Sequence, residues 1–195
     1  MKYLNIRELK EKIYFTTYEI AEYLGIKKES ARVLCSRYSK KGLIIRLKRD
    51  LYILREKWET LSIEEYFNIA NMLQVPSYIS LMTGLYYHQI TTQVQRRFYE
   101  SISLKRSIYF SIEQTEFHYH KINRKFYFGF FKKDKIFIAE KEKAFVDTLY
   151  LTSLGKYKFD VSSVDLRKLK KNKIEKILKI YPEKTNKIFI KIWKS

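Results

Sequence analysis

The stretch from Thr16 to Leu54 constrains the fold more than any other, because helix starts, helix stops and strands follow one another there at short intervals. Thr16 and Glu19 stand three apart, the spacing at which a hydroxyl and a carboxylate cap each other's backbone amides, so a helix begins there. Ile20, Ala21 and Leu24 give it an apolar stripe, and Gly25 ends it. A second helix is expected from about Lys28 to Lys41. Ala31, Leu34, Cys35 and Tyr38 fall at i, i+3, i+4 and i+7 on its buried face, and Gly42 closes it. Leu43–Leu47 reads as a strand, Lys48-Arg49-Asp50 as a turn and Leu51–Leu54 as the returning strand.

Two short helices joined by a tight turn and followed by a hairpin predict a winged helix-turn-helix, whose second helix enters a major groove. Opposite its buried face that helix carries Glu29, Val33, Ser36 and Lys40, flanked by Arg32 and Arg37. These side chains suit base edges and phosphates. Thr17, Lys27, Lys28 and Ser30, near the helix starts, complete the candidate DNA-contacting set on the helices, and Arg46, Lys48 and Arg49 place cations on the hairpin. The formal net charge of +19 also points to a polyanion. Part of that excess is a compositional bias toward Lys, Ile, Tyr, Phe and Asn, so the local placement of cations is the stronger argument. The competing reading is a helix pair that docks a partner protein or RNA. Cys35, on the apolar face, reads as a small core residue.

Residues 1–15 read as a short helix with Leu4, Ile6, Leu9 and Ile13 roughly on one face. Beyond Trp58, Ile63–Leu73 looks helical, Pro76 breaks it, and Ser77 or Ser80 can cap a helix running to about Tyr87. Strands are expected at Tyr99–Leu104, Ser107–Ile112, Glu116–Ile122, Phe126–Phe131 and Lys135–Ile138, followed by a helix from about Glu140 to Leu151. From Ser162 the tail is Lys-rich and helical, interrupted at Pro182. Between Lys156 and Lys194 thirteen Lys or Arg face four acidic residues, so +9 of the charge lies there. It serves either as a second electrostatic surface or as a solvated helical face. The expected fold class is α+β: a winged helix-turn-helix over residues 1–56, then a mixed α/β domain over 57–195 with a largely antiparallel sheet and a basic helical tail from about 156.

Other function classes find less support. One cysteine permits no intrachain disulfide, the first residues lack a signal-peptide core, and no apolar run approaches the roughly 20 residues of a membrane span. A cytoplasmic protein with no membrane partner is expected. His118, His120 and Glu116 share a strand face and could hold a metal, but with only His88 remaining, a solvated strand face is the preferred reading, and no metal or cofactor is expected. Glu142, Lys143 and Asp147, with i, i+4 spacing, read as a salt-bridged surface cluster. Phe126–Phe131 fits base stacking, with a core strand preferred. There is no phosphate-cradling Gly loop and no nucleophile–base set, so no catalytic residue is expected.

The order of signals resembles the AbiEi-type antitoxin and transcriptional regulator family of bacterial toxin–antitoxin systems. Three stretches carry the resemblance. They are Thr16–Ala21 through Gly42-Leu43-Ile44 and Arg49–Tyr52; Pro76–Leu81 with Gly84–His88; and Ala139–Ala144 with Asp147 and Leu149–Leu151. Together they span the chain to about residue 155. The resemblance implies autorepression through inverted repeats of double-stranded DNA, by a monomer or weak dimer that pairs on DNA. It also implies a C-terminal domain that antagonises a nucleotidyltransferase-like toxin without requiring a stable complex, and it makes Glu142, Lys143 and Asp147 a candidate patch for that role. Two positions depart from the usual pattern: Lys27 replaces a Ser or Asn cap, and Asp50 stands where the hairpin turn often has Gly.

Overall fold

The computed structural model describes residues 6–194 and has an α+β architecture. Its residues divide into two units, with the boundary between Ile69 and Ala70.

In the first unit, Phe15–Thr16 (β1), Thr17–Leu24 (α1), Lys28–Lys40 (α2), Ile44–Lys48 (β2), Leu51–Leu54 (β3) and Arg55–Glu59 (α3) follow in order. Thr16 and Glu19 form the expected capping box. Both α1 and α2 close through the same pair of bonds. The Ile26 amide reaches the Ala21 carbonyl and that of Gly25 reaches Glu22; the Leu43 amide reaches Tyr38 and that of Gly42 reaches Ser39. This closure needs a left-handed residue, and Gly25 (φ 60°) and Gly42 (φ 69°) supply it at no steric cost. Ile20, Ala21, Ala31, Cys35, Ile44, Tyr52 and Leu54 bury together with Ile6, Leu9 and Phe15.

The helix expected over residues 1–15 is not formed as such. Ile6 and Arg7 are helical, Glu8–Glu11 is a 3₁₀ turn, and Phe15–Thr16 is a strand paired antiparallel with Leu51-Tyr52. Burying Phe15 against Tyr52 (ring centroids 6.4 Å apart) requires the extended chain. Leu4 lies outside the described residues.

Ile63–Leu73 (α4) crosses the boundary. The second unit then runs Ser77–Ile79 (β4), Leu81–Tyr87 (α5), Phe98–Ser103 (β5), Ile108–Ile112 (β6), Thr115–Lys121 (β7), Phe130–Lys133 (β8), Ile136–Ala139 (β9), Lys141–Ser153 (α6), Lys171–Leu178 (α7) and Glu183–Lys194 (α8). Its six strands are ordered β6-β7-β5-β4-β9-β8. The sheet is mixed, which corrects the largely antiparallel expectation: β5 runs parallel to β7 and β4 parallel to β9. The first parallel pair arises because β6 pairs with the far side of β7 and leaves the near side to β5. The strand expected over Phe126–Phe131 is also corrected. Arg124–Phe126 forms a 3₁₀ turn that drives Phe126 into the core, and β8 begins only at Phe130. Ser77 lies in a strand and caps nothing; Ser80 holds the N-cap position of α5 without a capping bond.

Helix α6 packs against α5, α7 and α8, and its residues Glu142–Leu151 are all buried. Gly84 admits that approach, since a side chain there would start 3.1 Å from the Ala144 Cβ. The basic tail turns Ile174, Leu178, Tyr181 and Phe189 into this core and its lysines outward. Among the described residues, no helix is long and apolar enough to cross a membrane.

Candidate nucleic-acid interface and a buried ionic cluster

Helix α2 is anchored through Ala31 and Cys35, both fully buried, so the opposite side faces solvent. That side carries Glu29, Ser30, Arg32, Val33, Ser36, Arg37 and Lys40, all exposed. Lys27 and Lys28 are exposed at its start. Lys27 makes no side-chain cap, in keeping with its departure from the usual Ser or Asn. The first turn of α2 therefore keeps amides of the kind that favour an anion. A shallow hollow of about 410 Å³ lies along this face, lined by Ile26, Glu29, Ser30, Val33, Leu34 and Arg37.

The β2–β3 hairpin exposes Arg46 and Arg49, with Lys48 half-buried between them. Its turn is set by Asp50, which adopts φ 57°. An aspartate tolerates this left-handed conformation. Here its carboxylate has a further task. It accepts a hydrogen bond from the Thr17 hydroxyl at 3.0 Å, and lies 3.6 Å from the Arg32 guanidinium and 3.9 Å from that of Arg49. The Thr17 hydroxyl, with the two guanidiniums, holds the Asp50 carboxyl below its usual range. Asp50 thus ties the hairpin to the start of α1 and to the middle of α2.

Thr17 was expected among the DNA-contacting residues. It is 1% exposed, and its hydroxyl is committed to Asp50, so its part is to position the hairpin. Replacing Thr17 by Val is expected to lower stability by about 1 kcal/mol, the worth of one hydrogen bond. The same change in an Asp50→Ala background should cost almost nothing, which a double-mutant cycle by urea unfolding measures.

Burial pushes the Cys35 thiol up to about 11, so it stays protonated and packs as a small core group.

Glu142, Lys143 and Asp147 are not a surface cluster. Their relative exposures are 1%, 0% and 0%. Lys143 and Asp147 form a buried i, i+4 ion pair. The Lys143 ammonium donates to the Tyr78 hydroxyl at 2.8 Å, which donates to Asp147 Oδ2 at 3.0 Å, while Ser80 donates to the same oxygen at 2.9 Å. Gly129 covers the Lys143 stem so closely that a Cβ there would sit 3.0 Å from Lys143 Cγ. Glu142 turns the other way. It accepts from the Lys170 amide at 3.3 Å and meets Lys173 Nζ at 3.3 Å, fastening the start of α7 to α6.

On β7, His118 lies 2.8 Å from Glu116 and stacks on Tyr109, whereas His120 points toward the buried Glu100 at 3.9 Å and meets the Tyr157 ring edge-on. The two histidines serve different carboxylates. Among the described residues, no three His, Cys, Asp or Glu side chains are grouped to hold a metal ion.

Sequence reasoning marked the residues of the α2 face but missed the Thr17–Asp50–Arg32 link, which joins residues 33 apart through side chains alone. It also missed the Tyr78–Lys143–Asp147–Ser80 network. Comparison with known proteins found no family whose pattern matches the chain and no curated protein with a significant match.

Proposed function

We propose that Thr16–Leu54 is a winged helix-turn-helix that binds double-stranded operator DNA, with α2 in the major groove and the β2–β3 hairpin against the backbone. One observation carries this reading: the exposed cations of α2 (Arg32, Arg37, Lys40) occur in the same unit as the exposed hairpin cations Arg46 and Arg49. Asp50 touches Arg32 on the helix and Arg49 on the hairpin, which joins the two groups physically. Ser36 and Val33 stand among them for base edges and thymine methyls. The resemblance of the three sequence stretches extends the proposal. The chain is read as the autorepressor and antitoxin of a bacterial abortive-infection operon, counteracting a nucleotidyltransferase-like toxin and itself performing no catalysis.

The test is a gel shift on the DNA upstream of the reading frame. Specific affinity should fall steeply with salt, because each phosphate contact releases counterions. Replacing Arg32, Ser36 and Arg37 together by Ala should weaken specific binding about hundredfold. Wild-type affinity in that triple variant would sink the assignment of α2. Co-expression with the adjacent gene product tests the antitoxin half.

The hollow beside Val33, which is 51% exposed, favours a second reading, in which the same face docks a partner protein. Co-purification with that partner, and no DNA binding at any salt, distinguishes the two.

A further inference from the structure

Glu29, Val33 and Arg37 line one side of the shallow hollow on α2, and all three are exposed. They stand four residues apart, so they stack on successive turns of one helix face, about 6 Å from each to the next. Among the described residues, neither the Glu29 carboxylate nor the Arg37 guanidinium has a hydrogen bond or an ion pair. For Glu29 this is unexpected, because Arg32 stands three residues on, within reach along a helix. Arg32 lies instead 3.6 Å from Asp50, on the side of the hairpin. The face therefore divides: Arg32 serves the link to the hairpin, and the stripe from Glu29 to Arg37 is left with unused polar groups.

We propose that Glu29 determines sequence specificity, its carboxylate accepting a hydrogen bond from the 4-amino group of a cytosine in the major groove. This rests on the reading of α2 as the helix that enters that groove. Recognition helices touch base edges with their N-terminal residues, and Glu29 is the second residue of α2. Phosphates repel a carboxylate, so Glu29 opposes binding to DNA in general and gains only where a base edge presents a donor. Cytosine and adenine present one. Adenine's amino group stands beside its own N7 acceptor, a pair that suits the amide of Asn or Gln, whereas cytosine shows a donor alone and suits a carboxylate. A first-turn acid also complements the helix dipole. That effect acts on every DNA sequence alike, while a base contact changes which sequence is preferred.

The test selects bound duplexes from a randomised pool of double-stranded DNA, with the full chain and with Glu29→Ala and Glu29→Gln. Glu29 is exposed, so both variants are expected to fold; circular dichroism checks this. The native chain should select a common site containing a fixed cytosine. Glu29→Ala should lose the preference at that position, and Glu29→Gln should select adenine there. Affinity of Glu29→Ala for the native site should fall about tenfold, while its affinity for an unrelated duplex rises, since a charge of the phosphates' own sign is gone. The proposal alone is overturned if the native chain selects a common site and folded Glu29→Ala selects the same one. It is likewise overturned if Glu29→Ala loses affinity equally for the native site and the unrelated duplex. If the native chain selects no common site, the reading of α2 falls and this inference falls with it.

Discussion

Replacing Asp147 by Ala is expected to destabilise the second unit by about 3–5 kcal/mol, read as a lower urea midpoint. The reason is the position of its partner. Lys143 is fully buried on the same helix, its stem covered by Gly129 and its ammonium between Asp147 and Tyr78. Removing the carboxylate strands that ammonium in an apolar core and frees the hydroxyls of Tyr78 and Ser80 as well. Burial pushes the Asp147 carboxyl up and the Lys143 ammonium down, and their contact with each other opposes both shifts. The network survives because every member is paired. The double variant Lys143→Met with Asp147→Leu should therefore cost much less than Asp147→Ala, since no buried charge remains. If Asp147→Ala costs under about 1 kcal/mol, or if the double variant is the worse of the two, the pair does not hold the core as described.

How much of this was legible in the sequence depended on the range of each contact. The capping box at Thr16 and the closures at Gly25 and Gly42 involve residues a few positions apart, and the structure places them as the spacing predicts. The β1 strand was hidden, because Phe15 pairs with Tyr52 across most of the first unit. The mixed sheet was hidden for a similar reason: local alternation reveals a strand but not that β6 will take the outer side of β7. Lys143 and Asp147 were misread through their i, i+4 spacing, which on most helices marks a solvated pair. A signal was available. Ala144, Phe145, Val146, Leu149, Tyr150 and Leu151 cover every face of α6, and a helix apolar all round is buried, charges included. For the candidate DNA interface the exposed side of α2 followed from the apolar periodicity. The role of Asp50 did not, because nothing local shows what its carboxylate will meet.

The second large effect is a hidden compensation in the pH dependence of stability. Glu100 is 2% exposed and accepts a hydrogen bond from the Tyr157 hydroxyl at 2.8 Å; His120 Nε2 lies 3.9 Å from its other oxygen. Burial pushes the Glu100 carboxyl up to about 7, and burial, helped by His118, pulls His120 down to about 4. The folded chain keeps the Glu100 proton while the unfolded chain, with an ordinary carboxyl near 4.5, releases it. Stability from this group is therefore full below pH 4.5 and is lost as pH rises to about 7. His120 acts in the opposite sense. The folded imidazole has lost its proton while the unfolded one, ordinarily near 6.5, keeps it, so its stability is lost as pH falls from 6.5 to about 4. Each arm spans about 3 kcal/mol, from the shifts at about 1.4 kcal/mol per unit. Between pH 4.5 and 6.5 the two nearly cancel. Glu100→Gln, which can still accept from Tyr157, removes the falling arm, so its stability relative to the native chain should climb by up to about 3 kcal/mol between pH 4.5 and 7. His120→Gln removes the rising arm, so relative to the native chain it should fall as pH rises from 4 to 6.5. Urea unfolding of the three proteins across that range reads both differences directly. Parallel profiles for Glu100→Gln and the native chain would mean that the Glu100 carboxyl titrates alike in the folded and unfolded states.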